Sequence, residues 1–482
     1  MSNELRVSGL PSRHVTQGPH QAPSRAMMYG TGVPEGGLDQ PLVGVFTTWN
    51  NASPCNMGLR SQSEAVRAGV KAAGGTPFEY TTVSVTDGIS NGTQGMKLSL
   101  VSREYIAETI ELVVRAHYYD AMLCLVGCDK NIPAMMMAML RLNVPSLFIY
   151  GGSLLPGRMA GQDITVVDVF EAVGALTAGK ITPNKLQEYE HAACPTVGAC
   201  PGMYSAGTMS AVSEVMGLAP PNSAFMPAVH TRRLAMAEQA GHDLMRMVRD
   251  KVRPRDIVSR KSFENAAALV AASGGSTNAA LHLPAMAHEA GIEFNLDDVV
   301  SVFRRTPYMA DLKPGGRYLP KDVFEIGGVP VLIKALLDGG YIEAFASLIS
   351  DPKQPLVVRL RYFAMATSSQ LTPSKEQSMR NSPSKSSRSV VSAGSQKSAP
   401  TDPAFFGGMR KRLEMPAVAR WCTLDIPAKR TFTPISRISN GFVEVQATFA
   451  LRRISATEAL NDHLERQQHG GAIPPHASSF TR

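Results

Sequence analysis

Between residues 42 and 150 the chain alternates short apolar runs with longer stretches of helical character. Leu42-Val-Gly-Val-Phe46 and Phe78-Glu-Tyr-Thr-Thr-Val-Ser-Val85 read as strands, the second alternating apolar and polar positions. Ala121-Met-Leu-Cys-Leu-Val126 is apolar throughout, as a parallel strand buried on both faces is. Residues 144–150 form the next strand. Residues 57–73 read as a helix, and residues 104–117 have the spacing of an amphipathic one. Met135-Met-Met-Ala-Met-Leu140 is a good helix-forming run, with Pro133 suited to its first turn. Strand and helix alternating in this way predict an α/β fold: a parallel sheet with helices on both faces. Beyond it, helices are predicted over residues 168–179, from about 203 to 217, and over 230–252 and 278–289.

The polar residues concentrate where strands end. Gly127-Cys-Asp-Lys130 lies between a strand and a helix, the place where α/β proteins present ligand-binding groups. A thiolate suits a soft metal and a carboxylate a hard cation, so one turn offers donors for two inorganic centres; the alternative is a polar turn with a half-buried thiol. Asp87-Gly88 follows another strand and suits a hard cation, although Asp is also a common turn former. Cys55 lies in an Asn-, Ser- and Pro-rich loop, and Cys194 and Cys200 share a Gly/Pro-rich one, between which spacing does not choose. Cys124 sits inside an apolar strand and reads as core. With no C-x-x-C pair, a zinc ribbon or ferredoxin-type cluster is disfavoured. Three thiolates from distant loops would leave one position of an iron–sulfur cluster open, and an open iron is a Lewis acid. Ser273-Gly-Gly-Ser-Thr-Asn278 is either an anion-binding loop or a tight helix entry.

At 482 residues, 44% hydrophobic and 18% charged, the chain has the composition of a globular protein with two or three domains. No run nears the roughly 18 apolar residues of a membrane span, and residues 1–30 hold no apolar segment like a secretory signal. Six cysteines in so long a chain point to reduced thiols or metal ligands, hence to a cytoplasmic setting. The net charge of +8 is local: residues 353–412 hold eleven Lys or Arg and two acids, a net of +9, leaving −1 for the rest. Few aromatics interleave with those bases, which argues against nucleic acid as the partner. A non-catalytic protein that binds acidic partners through this segment is the reading of another class.

Taken together, Thr48-Trp-Asn50, Pro54-Cys-Asn56, Asp87-Gly-Ile-Ser90, Gly127-Cys-Asp-Lys130, Gly151-Gly-Ser153, Ala199-Cys200, Met203-Tyr204 and Gly274-Gly-Ser-Thr-Asn278 carry a resemblance. Asp311-Leu-Lys-Pro-Gly-Gly-Arg317 and Gly327-Gly-Val-Pro330 extend it. From about Ser12 to Tyr341 the sequence resembles the dihydroxy-acid dehydratases, within the larger family that includes the sugar-acid dehydratases. The resemblance implies Cys55, Cys128 and Cys200 as ligands of an iron–sulfur cluster, of 2Fe-2S or 4Fe-4S type. It implies Asp87, Asp129 and Lys130 as a Mg²⁺ site, with Lys130 carboxylated into an oxygen donor. The implied reaction is an elimination turning 2,3-dihydroxyisovalerate or 2,3-dihydroxy-3-methylvalerate into a 2-keto acid, in branched-chain amino-acid synthesis. The implied assembly is a homodimer, and a sugar-acid (aldonate or phosphogluconate) dehydratase is the near alternative.

The chain departs from the family at Pro201 and Gly207, where Gly and Asn are usual, and broadly after Tyr341. Members continue into a β-rich domain with a further Mg²⁺-binding Glu and an Asp-Gly-Arg-Phe-Ser-Gly turn whose Ser is the proposed base. No such turn occurs here, so the catalytic base is unassigned and activity of the chain as written is doubtful. Residues 1–345 are expected to form the cluster- and metal-binding domain. Residues 346–402, whose Ser-, Pro- and Lys-rich part cannot bury a core, read as a disordered linker. Residues 403–482 read as a divergent segment, of the kind a shifted reading frame yields.

Overall fold

A computed structural model describes residues 9–343. The segments expected over 346–402 and 403–482 lie outside the described residues. Four strands, β1 (Leu42–Thr47), β2 (Thr76–Thr81), β3 (Ala121–Val126) and β4 (Ser146–Tyr150), form one parallel sheet in the order β2-β1-β3-β4. Helices cover both faces, and the strand residues sort strictly between two cores. Val43, Val45, Leu123, Leu125, Leu147 and Ile149 face the helices Leu59–Ala72 and Arg233–Asp250. Phe46, Met122, Cys124, Val126, Phe148 and Tyr150 face Lys97–Ala116 and Asn131–Leu142, with Ser205–Val215 adding to that core. This two-residue period on a sheet covered twice explains why β1, β3 and β4 are apolar at almost every position. β2, at the edge, puts the polar Glu79 and Thr81 on its exposed positions and Phe78 and Tyr80 on half-buried ones.

Several elements differ in extent from the sequence pattern. β2 stops at Thr81 although the alternation runs to Val85, because its neighbour β1 ends at Thr47, the partner of Thr81. Residues 82–86 then leave the sheet. The helix predicted over 104–117 begins at Lys97, where Leu98 and Val101 face solvent and break the amphipathic pattern. Helices Pro183–Ala192, Arg260–Ala272, Leu296–Arg305 and Val329–Asp338 have no counterpart in the sequence reading. In Arg260–Ala272 the cause is visible: the polar face of Arg260, Lys261 and Glu264 is confined to the first turns, and Ser262 and Asn265 are buried among alanines. A small hairpin, β5 (Gly157–Met159) with β6 (Gln162–Ile164), stands apart from the main sheet.

Candidate functional site

The order of the strands reverses between β1 and β3: the chain leaves β1 for one edge of the sheet and returns from β2 to the other side. In an open parallel sheet this opens a crevice beyond the carboxyl ends of those two strands. The loop carrying Cys55 leaves β1 and the turn carrying Cys128 leaves β3. Cys55 lies in a single helical turn, Pro54–Met57, and Cys128 two residues after β3. The two segments are pressed together at Gly127, where an added Cβ would sit 2.1 Å from the carbonyl oxygen of Cys55. The third thiol-bearing loop packs onto the Cys55 segment and onto the loop that follows β4. Gly198 donates its N–H to the carbonyl of Pro54 at 2.8 Å, and Ala199 donates to Gly152 at 2.9 Å. Gly198 adopts φ +127°, and a Cβ there would meet Ser153 backbone at 2.4 Å, so glycine is needed on both counts.

This packing brings Cys55, Cys128 and Cys200 into one cluster. Cys55 and Cys128 share a thiol–thiol hydrogen bond, which raises the Cys55 pKa together with burial and the nearby charges of Cys128 and Cys200. Cys200 is pushed up to about 12, by burial first and then by Cys128. Three thiols at close quarters, Cys55 and Cys128 buried and Cys200 half-buried, do not all ionise unaided, whereas a bound metal removes that penalty by taking up their charge. Cys124 lies wholly inside β3, and Cys194 is exposed at the rim of the Cys200 loop. Gly207 matches its surroundings: a Cβ there would meet the Gly202 carbonyl at 2.3 Å.

Beside the thiols lies a charged group. Lys130 Nζ bridges Asp129 Oδ1 at 2.7 Å and Asp87 Oδ2 at 3.0 Å, and the Lys130 side chain is only 6% exposed. Burial pulls the Lys130 pKa down, but Asp129 and then Asp87 outweigh it and hold it above the ordinary lysine value. Asp129 is raised, chiefly by burial and against the pull of Lys130. Asp87 also accepts a hydrogen bond from Ser99 at 2.6 Å, and Asp129 one from Ser205. Ser205 in turn contacts Ser276 and Asn278, so the Ser273–Asn278 segment reaches the site through hydroxyl and amide groups.

A second set of buried polar groups ties the strand-end loops to one another. Asn131 donates to Thr48 Oγ1 at 3.1 Å and to Ser84 Oγ at 2.9 Å. Asn56 donates to Ser84 Oγ at 3.0 Å and accepts from Thr48 at 2.9 Å. Segment 82–86 leaves the sheet at this point, and the carbonyl of Val85 lies 3.8 Å from Cys128 Sγ. Farther back, Arg103 donates to His282 Nδ1 at 3.1 Å, leaving the proton of the neutral ring on Nε2, which has no partner among the described residues. Burial, Arg103 and Lys130 all hold His282 in that neutral form. Ser84, Ser99, Ser205, His282 and Tyr150 escaped the sequence reading because each becomes part of the site only through long-range packing. The short Asp-Gly-Ile-Ser and Ser-Thr-Asn motifs gave the nearest signal.

Among the described residues, no three His, Cys, Asp or Glu side chains are gathered for a single metal ion. A cluster, which is larger than an ion, draws its thiols from around a wider space. The carboxylate pair with Lys130 reaches three oxygen donors only when Nζ itself carries a carboxyl group. In the structure the ammonium stands in for a cation, occupying the point between the two carboxylates. The thiols fit an iron–sulfur cluster, and the carboxylates with a carboxylated Lys130 fit a hard divalent ion beside it.

Residues 40–352 match the family described as dihydroxy-acid/6-phosphogluconate dehydratase, N-terminal. The dihydroxy-acid dehydratase of Parvibaculum lavamentivorans is 56% identical over 336 residues, covering 70% of this chain and 58% of that protein. The dihydroxy-acid dehydratase of Dinoroseobacter shibae is 58% identical over the same shares. Dihydroxy-acid dehydratase 2 of Bradyrhizobium diazoefficiens is 57% identical over 69% of this chain and 58% of its own. The chain therefore spans 58% of the length of these relatives.

Proposed function

The chain belongs to the dihydroxy-acid/6-phosphogluconate dehydratase family, and from that premise we propose that it is a hydro-lyase. Its substrates are 2,3-dihydroxy carboxylic acids, 2,3-dihydroxyisovalerate and 2,3-dihydroxy-3-methylvalerate foremost, converted to 2-keto acids in branched-chain amino-acid synthesis. One observation carries the reading: three thiols and a carboxylate–lysine–carboxylate group meet at the crevice where the strand order reverses. The names of the relatives at 56–58% identity favour the dihydroxy acid over an aldonate.

In this reading Cys55, Cys128 and Cys200 hold an iron–sulfur cluster, while Asp87, Asp129 and carboxylated Lys130 hold Mg²⁺. When bound, the two groups supply Lewis acidity for loss of a hydroxyl and positive charge for the substrate carboxylate. The chain's own residues set the geometry. Cys128 and Asp129 are adjacent, so the two groups, when bound, would be held by neighbouring residues of one turn. Ser99 and Ser205 orient the two carboxylates through hydrogen bonds.

The test is keto-acid formation by the full chain after anaerobic cluster reconstitution with Mg²⁺, on 2,3-dihydroxyisovalerate and on an aldonate. Turnover of the aldonate alone moves the assignment to sugar acids. A chain that takes up neither iron nor Mg²⁺ refutes the reading.

A further inference from the structure

Tyr150 ends β4, pairs in register with Val126 just ahead of the Cys128 turn, and points to the sheet face that holds Cys55 and Cys128. Its side chain is 1% exposed. The hydroxyl oxygen is shielded from solvent and has no hydrogen-bond partner among the described residues. A buried hydroxyl left unpaired is a cost that folded proteins rarely carry. Its surroundings are the three thiols: Cys55, Cys200 and Cys128 each act on it electrostatically, and burial keeps it a neutral O–H donor. None of the three sulfurs accepts its proton. The missing acceptor therefore belongs in the space that the thiols enclose.

The backbone of Tyr150 is held in place from behind. Arg233, 1% exposed, donates to the carbonyl of Tyr150 at 2.8 Å and to the carbonyls of Ser223 and Met226. No carboxylate pairs with this guanidinium among the described residues, and burial lowers its pKa to about 10. A fully buried cation without a counter-charge is unfavourable on its own and favourable beside a buried anionic group. An unpaired donor thus sits on a strand end whose backbone a buried cation fixes.

We propose that Tyr150 is a positioning and tuning residue for the iron–sulfur cluster: its hydroxyl donates a hydrogen bond to a cluster sulfur, with Arg233 anchoring the strand end that presents it. The proposal rests on the cluster assignment to Cys55, Cys128 and Cys200. Donation to sulfur withdraws electron density and favours the reduced, more negative cluster, so the bond raises the reduction potential.

The test compares the anaerobically reconstituted full chain with Tyr150→Phe and with a fluorinated tyrosine inserted at position 150, which keeps the shape and strengthens the donor. Readouts are iron content, reduction potential, and the shift of the Fe–S vibrations between H₂O and D₂O. Phe, isosteric among Phe46 and Phe148, is expected to retain iron, lower the potential and lose part of the isotope shift. The fluorinated residue is expected to raise the potential. Should Tyr150→Phe fail to fold, the sign of that second shift decides. Equal potentials and equal isotope shifts in cluster-loaded proteins overturn the role of Tyr150 alone, whereas a wild-type chain that binds no cluster overturns the assignment beneath it as well.

Discussion

Gly127→Ala is the sharpest probe of how the site is assembled. The methyl it adds would lie 2.1 Å from the Cys55 carbonyl oxygen, so that backbone must retreat by about 1.3 Å to reach an ordinary 3.4 Å contact. It cannot retreat freely, because Pro54 is hydrogen-bonded to Gly198 and Asn56 to Ser53, Ser84 and Thr48. Overpacking of this kind costs about 1–3 kcal/mol, and a backbone obstacle favours the upper end. Against it stands a gain of about 0.4–1 kcal/mol from the stiffer unfolded chain. The net loss is about 2 kcal/mol, which lowers the urea midpoint by roughly 0.7–2 M at slopes of about 1–3 kcal/mol/M. Gly174→Ala, exposed within the helix Val166–Thr177 with nothing within 4 Å of its Cβ, is the control and should stabilise slightly. Urea unfolding followed by circular dichroism reads the stability, and iron content after reconstitution reads the site. A Gly127→Ala chain with wild-type midpoint and full iron refutes the claim that the two cysteine segments are locked together here.

Replacing Cys55, Cys128 or Cys200 singly by Ser should abolish cluster absorbance and bound iron, while Cys124→Ser and Cys194→Ser should keep both; the opposite pattern sinks the ligand assignment. Asp129→Asn should weaken Mg²⁺ binding, measured by calorimetry, without loss of iron, and unchanged affinity would count against the Mg²⁺ site. Glu214, buried beneath the 220–224 loop and accepting from the N–H groups of Asn222 and Ala224, is raised from 4.5 to about 7 by burial. A raised carboxyl stabilises the fold fully below its unfolded pKa and loses that contribution as pH climbs through the folded one. Urea midpoints of wild type should therefore fall relative to Glu214→Gln between about pH 4.5 and 7, by about 3 kcal/mol in stability, then level off. A difference that does not vary with pH would show the carboxyl to be ionised throughout.

What the sequence by itself determined is local. β3, Gly127-Cys-Asp-Lys130 and the helix Asn131–Leu142 follow from a run of apolar residues, a glycine turn and a good helix former, all within about twenty positions. The parallel sheet covered on both faces follows from strands with apolar residues on each side, a signal of period two that needs no partner to be read. Adjacency in the chain likewise placed Cys128 beside Asp129. Strand order lay beyond it, since periodicity says which face is buried and not which strand lies alongside. Only the order β2-β1-β3-β4 sets the Cys55 loop next to the Cys128 turn and opens the crevice above them. The same holds for the choice between Cys194 and Cys200, whose shared loop is docked by Gly198 and Ala199 against Pro54 and Gly152, with Cys200 inward and Cys194 at the rim. Asp87 meets Lys130 across 43 residues, and Tyr150 faces three thiols from three separate segments. Such contacts form because each buried polar atom needs a partner in space, a requirement satisfied by packing in three dimensions and invisible to any window along the chain.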